Sequence, residues 1–180
     1  VTIPDGGTAT VTFTNTLKKG HVELYKTDAA TGGALAGAVY GLYDNKGTRV
    51  DELVTDKNGY GKIPVSYGKG WYLLEEKAPE GCVLDPTKHF FDMTEDGAVI
   101  TIRATNVSQK GQIIIHKVDA ETGRPITDTP VTFEVRAADD IRLPDGSLWL
   151  KAGELADTMV TEDGTGASRP LYPGEYVATE

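Results

Sequence analysis

Lys26, Glu75 and Asn106 are the residues of this chain whose types and placement are suited to chemistry. Alternate side chains of a strand face the same way, so Val22, Leu24 and Lys26 share a face. So do Trp71, Leu73 and Glu75, and likewise Ile100, Ile102, Ala104 and Asn106. A lysine, an acid and an amide thus end three strands on the side where apolar residues belong. Burying a lone charge is costly, so such groups pair or change protonation state. A desolvated Lys26 loses its proton and becomes a nucleophilic amine, while a desolvated Glu75 keeps its proton and hydrogen-bonds the Asn106 amide. Glu75 then polarises the carbonyl, shuttles protons through the tetrahedral intermediate and helps ammonia leave. The expected product is an isopeptide bond between two strands.

The elements that must position these groups are repeated along the chain. Lys26, in Gly20-His21-Val22-Glu23-Leu24-Tyr25-Lys26-Thr27-Asp28, recurs as Lys117 in Gly111-Gln112-Ile113-Ile114-Ile115-His116-Lys117-Val118-Asp119, an offset of 91 (117 less 26). The same offset links Thr31-Gly32 to Thr122-Gly123, Leu35 to Ile126, and Asn15 to Asn106. A period of this size suits a string of small domains, because solenoid repeats run only roughly 20 to 50 residues. Residues 1–19 are expected to hold the terminal strand of a preceding repeat, at 9 to 15, plus a linker. Residues 20–107 are expected to form one complete unit, and 108–180 a second unit lacking its last strand.

Within the complete unit, strands are expected at 21 to 27, 38 to 44, 49 to 54, 60 to 65, 70 to 76, 88 to 93 and 98 to 106. Asp44-Asn45-Lys46-Gly47, Lys57-Asn58-Gly59 and Glu95-Asp96-Gly97 supply the turns between several of them. Seven short strands at regular spacing predict an all-β fold, an antiparallel β-sandwich. Glu180 lies 105 residues after Glu75, 14 more than the repeat offset. The extra length predicts an added hairpin near 137–158, turning at Pro144-Asp145-Gly146.

Composition narrows the function classes. Lys+Arg 18 against Asp+Glu 27 gives a formal net charge of −9, which disfavours a nucleic-acid partner. No stretch approaches the roughly 18 apolar residues of a membrane span. Val1 does not open a signal peptide, and the chain is read as a piece of a longer protein. Cys82 is the sole cysteine, so no disulfide forms within the chain, and a small extracellular domain would need another covalent staple. Asp56-Lys57-Asn58-Gly59 lacks the further ligands and distal Glu of a calcium loop and reads as a hairpin turn. His21, His89 and His116 are scattered. No metal or cofactor is expected.

The segments Lys26-Thr27-Asp28, Gly70-Trp71-Tyr72-Leu73-Leu74-Glu75-Glu76-Lys77-Ala78-Pro79-Glu80-Gly81 and Ile100-Thr101-Ile102-Arg103-Ala104-Thr105-Asn106 resemble the Cna-B/SpaA-like repeats of Gram-positive surface adhesins and pilins. The resemblance implies tandem transthyretin-like (prealbumin-like) β-sandwich domains with a spontaneous Lys-Asn or Lys-Asp isopeptide bond assisted by a Glu. The family's Glu, three residues before the Ala-Pro-x-Gly turn, falls on Glu75, as strand parity requires. In the second unit the match gives Lys117 and, through Leu171-Tyr172-Pro173-Gly174-Glu175-Tyr176-Val177-Ala178-Thr179-Glu180, the acid Glu180. The partners of Lys117 and of Asn15 are expected outside residues 1–180. Cys82 departs from the family, which commonly places an aromatic residue after Pro-x-Gly.

The expectation is therefore a stalk segment of a cell-wall-anchored, extracellular adhesin or pilus-like protein, and not a turnover enzyme. Its partners would be neighbouring repeats, with a host matrix protein or glycan bound through another region. The alternative is a ligand-binding module that uses the added hairpin around Trp149.

Overall fold

A computed structural model describes residues 1–3 and 5–180. Among them the regular structure is all strand. β1 (Lys19–Asp28), β2 (Val39–Tyr43), β3 (Arg49–Val54), β4 (Tyr60–Ser66), β5 (Gly68–Lys77), β6 (Lys88–Met93) and β7 (Val99–Asn106) make two sheets, ordered β4-β1-β7 and β3-β2-β5-β6. Their inner faces meet in a core that includes Val22, Leu24, Leu42, Leu73, Met93 and Ile102. Each of these belongs to an alternating run, so burying one face of every strand accounts for the two-layer architecture.

The pairing is antiparallel except between β1 and β7, which run parallel with Val22 opposite Ile100, Lys26 opposite Ala104 and Asp28 opposite Asn106. Parallel neighbours need a long crossover. Here everything between Asp28 and Val99 serves as that crossover, and it returns the last strand beside the first.

β8 (Ile114–His116) pairs with β13 (Thr165–Ala167), and β9 (Thr132–Ala137) lies between β12 (Leu155–Val160) and β14 (Tyr176–Thr179). This pairing pattern repeats that of β1, β4, β2, β3 and β5. Phe133, Val135, Ala156, Met159 and Leu171 form a separate, smaller core. Among the described residues no strand of this half corresponds to β6 or β7. The additional residues form the hairpin β10 (Ile141–Arg142) and β11 (Leu148–Leu150), closed by Leu143 N–H to Ser147 O at 2.9 Å and Gly146 N–H to Leu143 O at 2.8 Å.

Residues 9–15, expected as a strand, pair with no other segment among the described residues. Val11 and Phe13 are exposed. Alternation gives a strand its two faces, but the ladder needs a partner edge, and none meets this segment.

Candidate functional site

Backbone bonds on both sides fix Lys26. Its N–H donates to Gly59 O at 2.7 Å and its carbonyl accepts from Leu35 N–H at 3.0 Å. The Asn58-Gly59 turn requires glycine twice over. Gly59 has φ of 69°, and a Cβ there would strike the Lys26 carbonyl oxygen. β1 is the central strand of its sheet, so the Lys26 side chain leaves the ladder into the sandwich, where it is fully buried.

Glu75 reaches the same place from the opposite sheet and is 3 % exposed. Its Oε1 lies 3.1 Å from Lys26 Nζ. Its Oε2 accepts from Asn106 Nδ2 at 2.8 Å and from Asp85 N–H at 2.8 Å. Asn106, at the end of β7, also donates from Nδ2 to Val83 O at 2.7 Å. Glu76 turns outward, where Tyr43 Oη and Arg49 donate to it. The carboxylate thus divides its oxygens, one toward the lysine and one toward the amide nitrogen. Asn106 Oδ1 is buried without a donor among the described residues.

The segment after β5 closes the site. Val83 N–H donates to Val107 O at 2.8 Å, Cys82 bridges to Ser108, and Gln109 N–H donates to Gly81 O at 2.7 Å. A cavity of about 240 Å³ lined by Leu84, Asp85, Pro86, Thr105 and Asn106 adjoins the amide. Residues 20–108 match the family described as SpaA, prealbumin-like fold domain.

Residues 20–108 are a SpaA-type prealbumin-like domain. Over 85 residues the chain is 31 % identical to the trypsin-resistant surface T6 protein of Streptococcus pyogenes serotype M6, covering 47 % of this chain and 15 % of that protein. Among solved structures it is similar to the Bacillus anthracis TIE protein, with a TM-score of 0.64 and 23 % identity over 91 % of this chain and 31 % of that one. It is also similar to BcpA, the major pilin subunit of Bacillus cereus, with a TM-score of 0.51 and 25 % identity over 84 % of this chain and 53 % of that one. The chain therefore spans well under two thirds of each.

Four residues around the SpaA-type site were not singled out by sequence reasoning. Tyr40 Oη accepts from Lys26 Nζ at 2.6 Å, and Thr105 O accepts from the same nitrogen at 3.1 Å. Burial, then the negative charges of Glu75 and Asp85, push the Tyr40 phenol well above its ordinary pKa, so it stays protonated. Burial pulls His89, whose ring is 6.2 Å from that of Tyr40, below the usual imidazole value. For Asp85 burial acts upward but is outweighed by hydrogen bonds from the Thr87 hydroxyl and N–H, leaving its carboxyl below the usual range. Tyr40 shares an inward face with Ala38 and Leu42, so the parity that selected Lys26 was available for it too.

The remaining expected residues are placed differently. Lys117 Nζ donates to Glu180 Oε2, with both side chains partly exposed. Asn15 is exposed and away from both lysines' contacts. Asp56-Lys57-Asn58-Gly59 is a turn closed by Gly59 N–H to Asp56 O at 2.9 Å. No cluster of three or more metal-ligating side chains occurs among the described residues.

Proposed function

We propose that this chain is a stalk segment of a Gram-positive surface adhesin or pilus-like protein, in which the SpaA-type domain seals itself by an isopeptide bond from Lys26 Nζ to Asn106 Cγ. The observation that carries this reading is one buried carboxylate contacting both the lysine and the amide, Glu75 Oε1 at 3.1 Å from Nζ and Oε2 at 2.8 Å from Nδ2.

Transfer of a proton from Lys26 to Glu75 replaces a buried ion pair by two neutral groups, which a low-dielectric site favours. The free amine attacks Asn106 Cγ and forms the new C–N bond. Glu75 returns its proton through Oε2 to Nδ2, the C–Nδ2 bond breaks, and ammonia leaves toward the adjoining cavity. As the C–Nδ2 bond breaks, Nζ passes its second proton to the Glu75 carboxylate, so the three hydrogens of the ammonium end as one amide N–H, one in ammonia and one on Glu75. The event occurs once per molecule, so the chain is not a turnover enzyme.

Residues 108–180 are read as a second domain of the same kind, whose Lys117 and Glu180 belong to a site completed by an Asn outside this chain. The names of the relatives, a surface protein and a major pilin subunit, support a place on the cell surface among other subunits. Trp149 packs edge-on against Tyr172 at 4.8 Å and onto the second core. That inward commitment favours a spacer over a ligand-binding hairpin.

The test is the intact mass of the chain under denaturing, reducing conditions. A deficit of about 17 Da, one ammonia, is the expected result. An unshifted mass would leave a passive spacer without the crosslink.

A further inference from the structure

We infer that Tyr40 is a positioning residue for bond formation: its hydroxyl and the Thr105 carbonyl together aim the Lys26 amine at the reacting side chains. The inference rests on the isopeptide reading above and concerns how its nucleophile is oriented.

Lys26 Nζ makes three polar contacts: Tyr40 Oη at 2.6 Å, Thr105 O at 3.1 Å and Glu75 Oε1 at 3.1 Å. An ammonium has three N–H bonds: Tyr40 and Thr105 each accept one, and the third is left for Glu75 Oε1, which meets the nitrogen as an ion-pair contact. When the proton facing Glu75 is transferred, the two remaining N–H bonds are still held by Tyr40 and Thr105. The vacated direction, now the lone pair, is the one that faces Glu75, whose other oxygen holds the Asn106 amide. Without the Tyr40 hydroxyl the amine keeps a single anchor and rotates about its terminal C–N bond and side-chain torsions. The Thr105 anchor adjoins Asn106 in sequence, so it moves with the electrophile, whereas Tyr40 lies on the opposite sheet and fixes the amine independently.

The second half of the chain offers the same position without the hydroxyl. Tyr40 is registered against Glu75. In β9 and β14, Glu134 is registered against Thr179, which sets Phe133 opposite Glu180. The Phe133 ring lies 6.0 Å from Lys117 Nζ, as the Tyr40 ring lies 5.1 Å from Lys26 Nζ. The aromatic ring is common to both sites, and the oxygen that accepts from the lysine belongs to the first alone. The ring fills space at both, so the hydroxyl is the part with a separate task.

The experiment follows the 17 Da deficit in the full chain with time after cell-free synthesis, by intact mass, for the native chain, Tyr40→Phe and Tyr40→3-fluorotyrosine. The expected result is bond formation slowed about ten- to hundred-fold in Tyr40→Phe, from loss of alignment, and restored by fluorotyrosine, which keeps the hydroxyl. Circular dichroism of Tyr40→Phe in a Lys26→Ala background reports on the fold alone, and an unchanged spectrum is expected. Equal rates for native chain and Tyr40→Phe would overturn the inference while leaving the crosslink in place. A slow rate accompanied by a lost fold, or not restored by fluorotyrosine, would reduce Tyr40 to a packing role and overturn it as well. A native chain that never loses ammonia would overturn the isopeptide reading itself.

Discussion

Lys26 and Asn106 lie on neighbouring parallel strands, two register steps apart: Lys26 is opposite Ala104, and Asn106 is opposite Asp28. Neither needs to cross the sandwich to reach the other. The group that crosses is Glu75, from the facing sheet, so the pair proposed to react and its proposed proton carrier come from different layers. Sheet-on-sheet packing is therefore a condition of the proposed chemistry, and an unfolded chain should not react.

Glu75 and Glu76 are adjacent in sequence and opposite in role. Glu75→Ala should retain the full mass, while Glu76→Ala should show the same deficit of about 17 Da as the native chain. Glu76 holds only outward contacts with Tyr43 and Arg49, so its removal should cost at most about 1 kcal/mol. Intact mass of the two variants decides the matter, and a deficit in Glu75→Ala would remove the carboxylate from the mechanism.

The crosslink would close a loop between positions 26 and 106. Chain-entropy arguments give roughly 4 to 5 kcal/mol for a loop of this length. Asn106→Ala should therefore unfold well before the linked chain in denaturant, with Lys26→Ala/Asn106→Ala removing the added cost of a buried unpaired lysine. Equal midpoints for linked and unlinked protein would contradict this.

Strand alternation and the 91-residue offset made most of the first sandwich and its three central side chains legible. Lys26, Glu75 and Asn106 stand out because a polar residue on an inward face breaks a two-residue period. Tyr40 escaped the same reasoning because its ring reads as apolar and only its Oη is polar. The parallel sense of β1 and β7 was not legible, since alternation carries no direction. Residues 9–15 read as a strand for the same reason in reverse: the pattern describes faces and says nothing of whether an edge is there to pair with.

Asp28 should make the domain acid-sensitive. Burial acts to raise its carboxyl, but hydrogen bonds from Thr31 N–H, Ser108 Oγ and Ala30 N–H outweigh it and leave the pKa below the usual 3.8. A pKa depressed in the folded state contributes stability that is fully present above the unfolded value and lost as pH falls through the folded one. Asp28→Asn should destabilise by about 1 to 3 kcal/mol at pH 7 and flatten the dependence below about pH 4. Urea titrations at pH 7 and pH 3 check both parts, and an unchanged acid slope would show that Asp28 does not carry it.

Cys82 should be inert in the folded chain. Burial, then the charges of Asp28 and Glu75, push its thiol up to about 11, and its side chain is buried where the post-β5 segment meets Ser108. A thiol reagent at pH 7 should label it at least about a hundred-fold more slowly in native than in denaturing buffer, given the scarcity of thiolate and the lack of access. Comparable rates would place Cys82 at an accessible surface.

Because β1 and β7 run parallel, a pull on the start of one and the end of the other loads their ladder in shear. With Lys26 joined to Asn106, tension passes along β1, through the new amide and out past β7. Residues 27–105 stay slack. At about 3.4 Å per residue, those 79 residues represent about 270 Å of contour that never pays out. The proposed bond between these parallel neighbours would thereby turn a domain that otherwise lengthens under force into one of nearly fixed length.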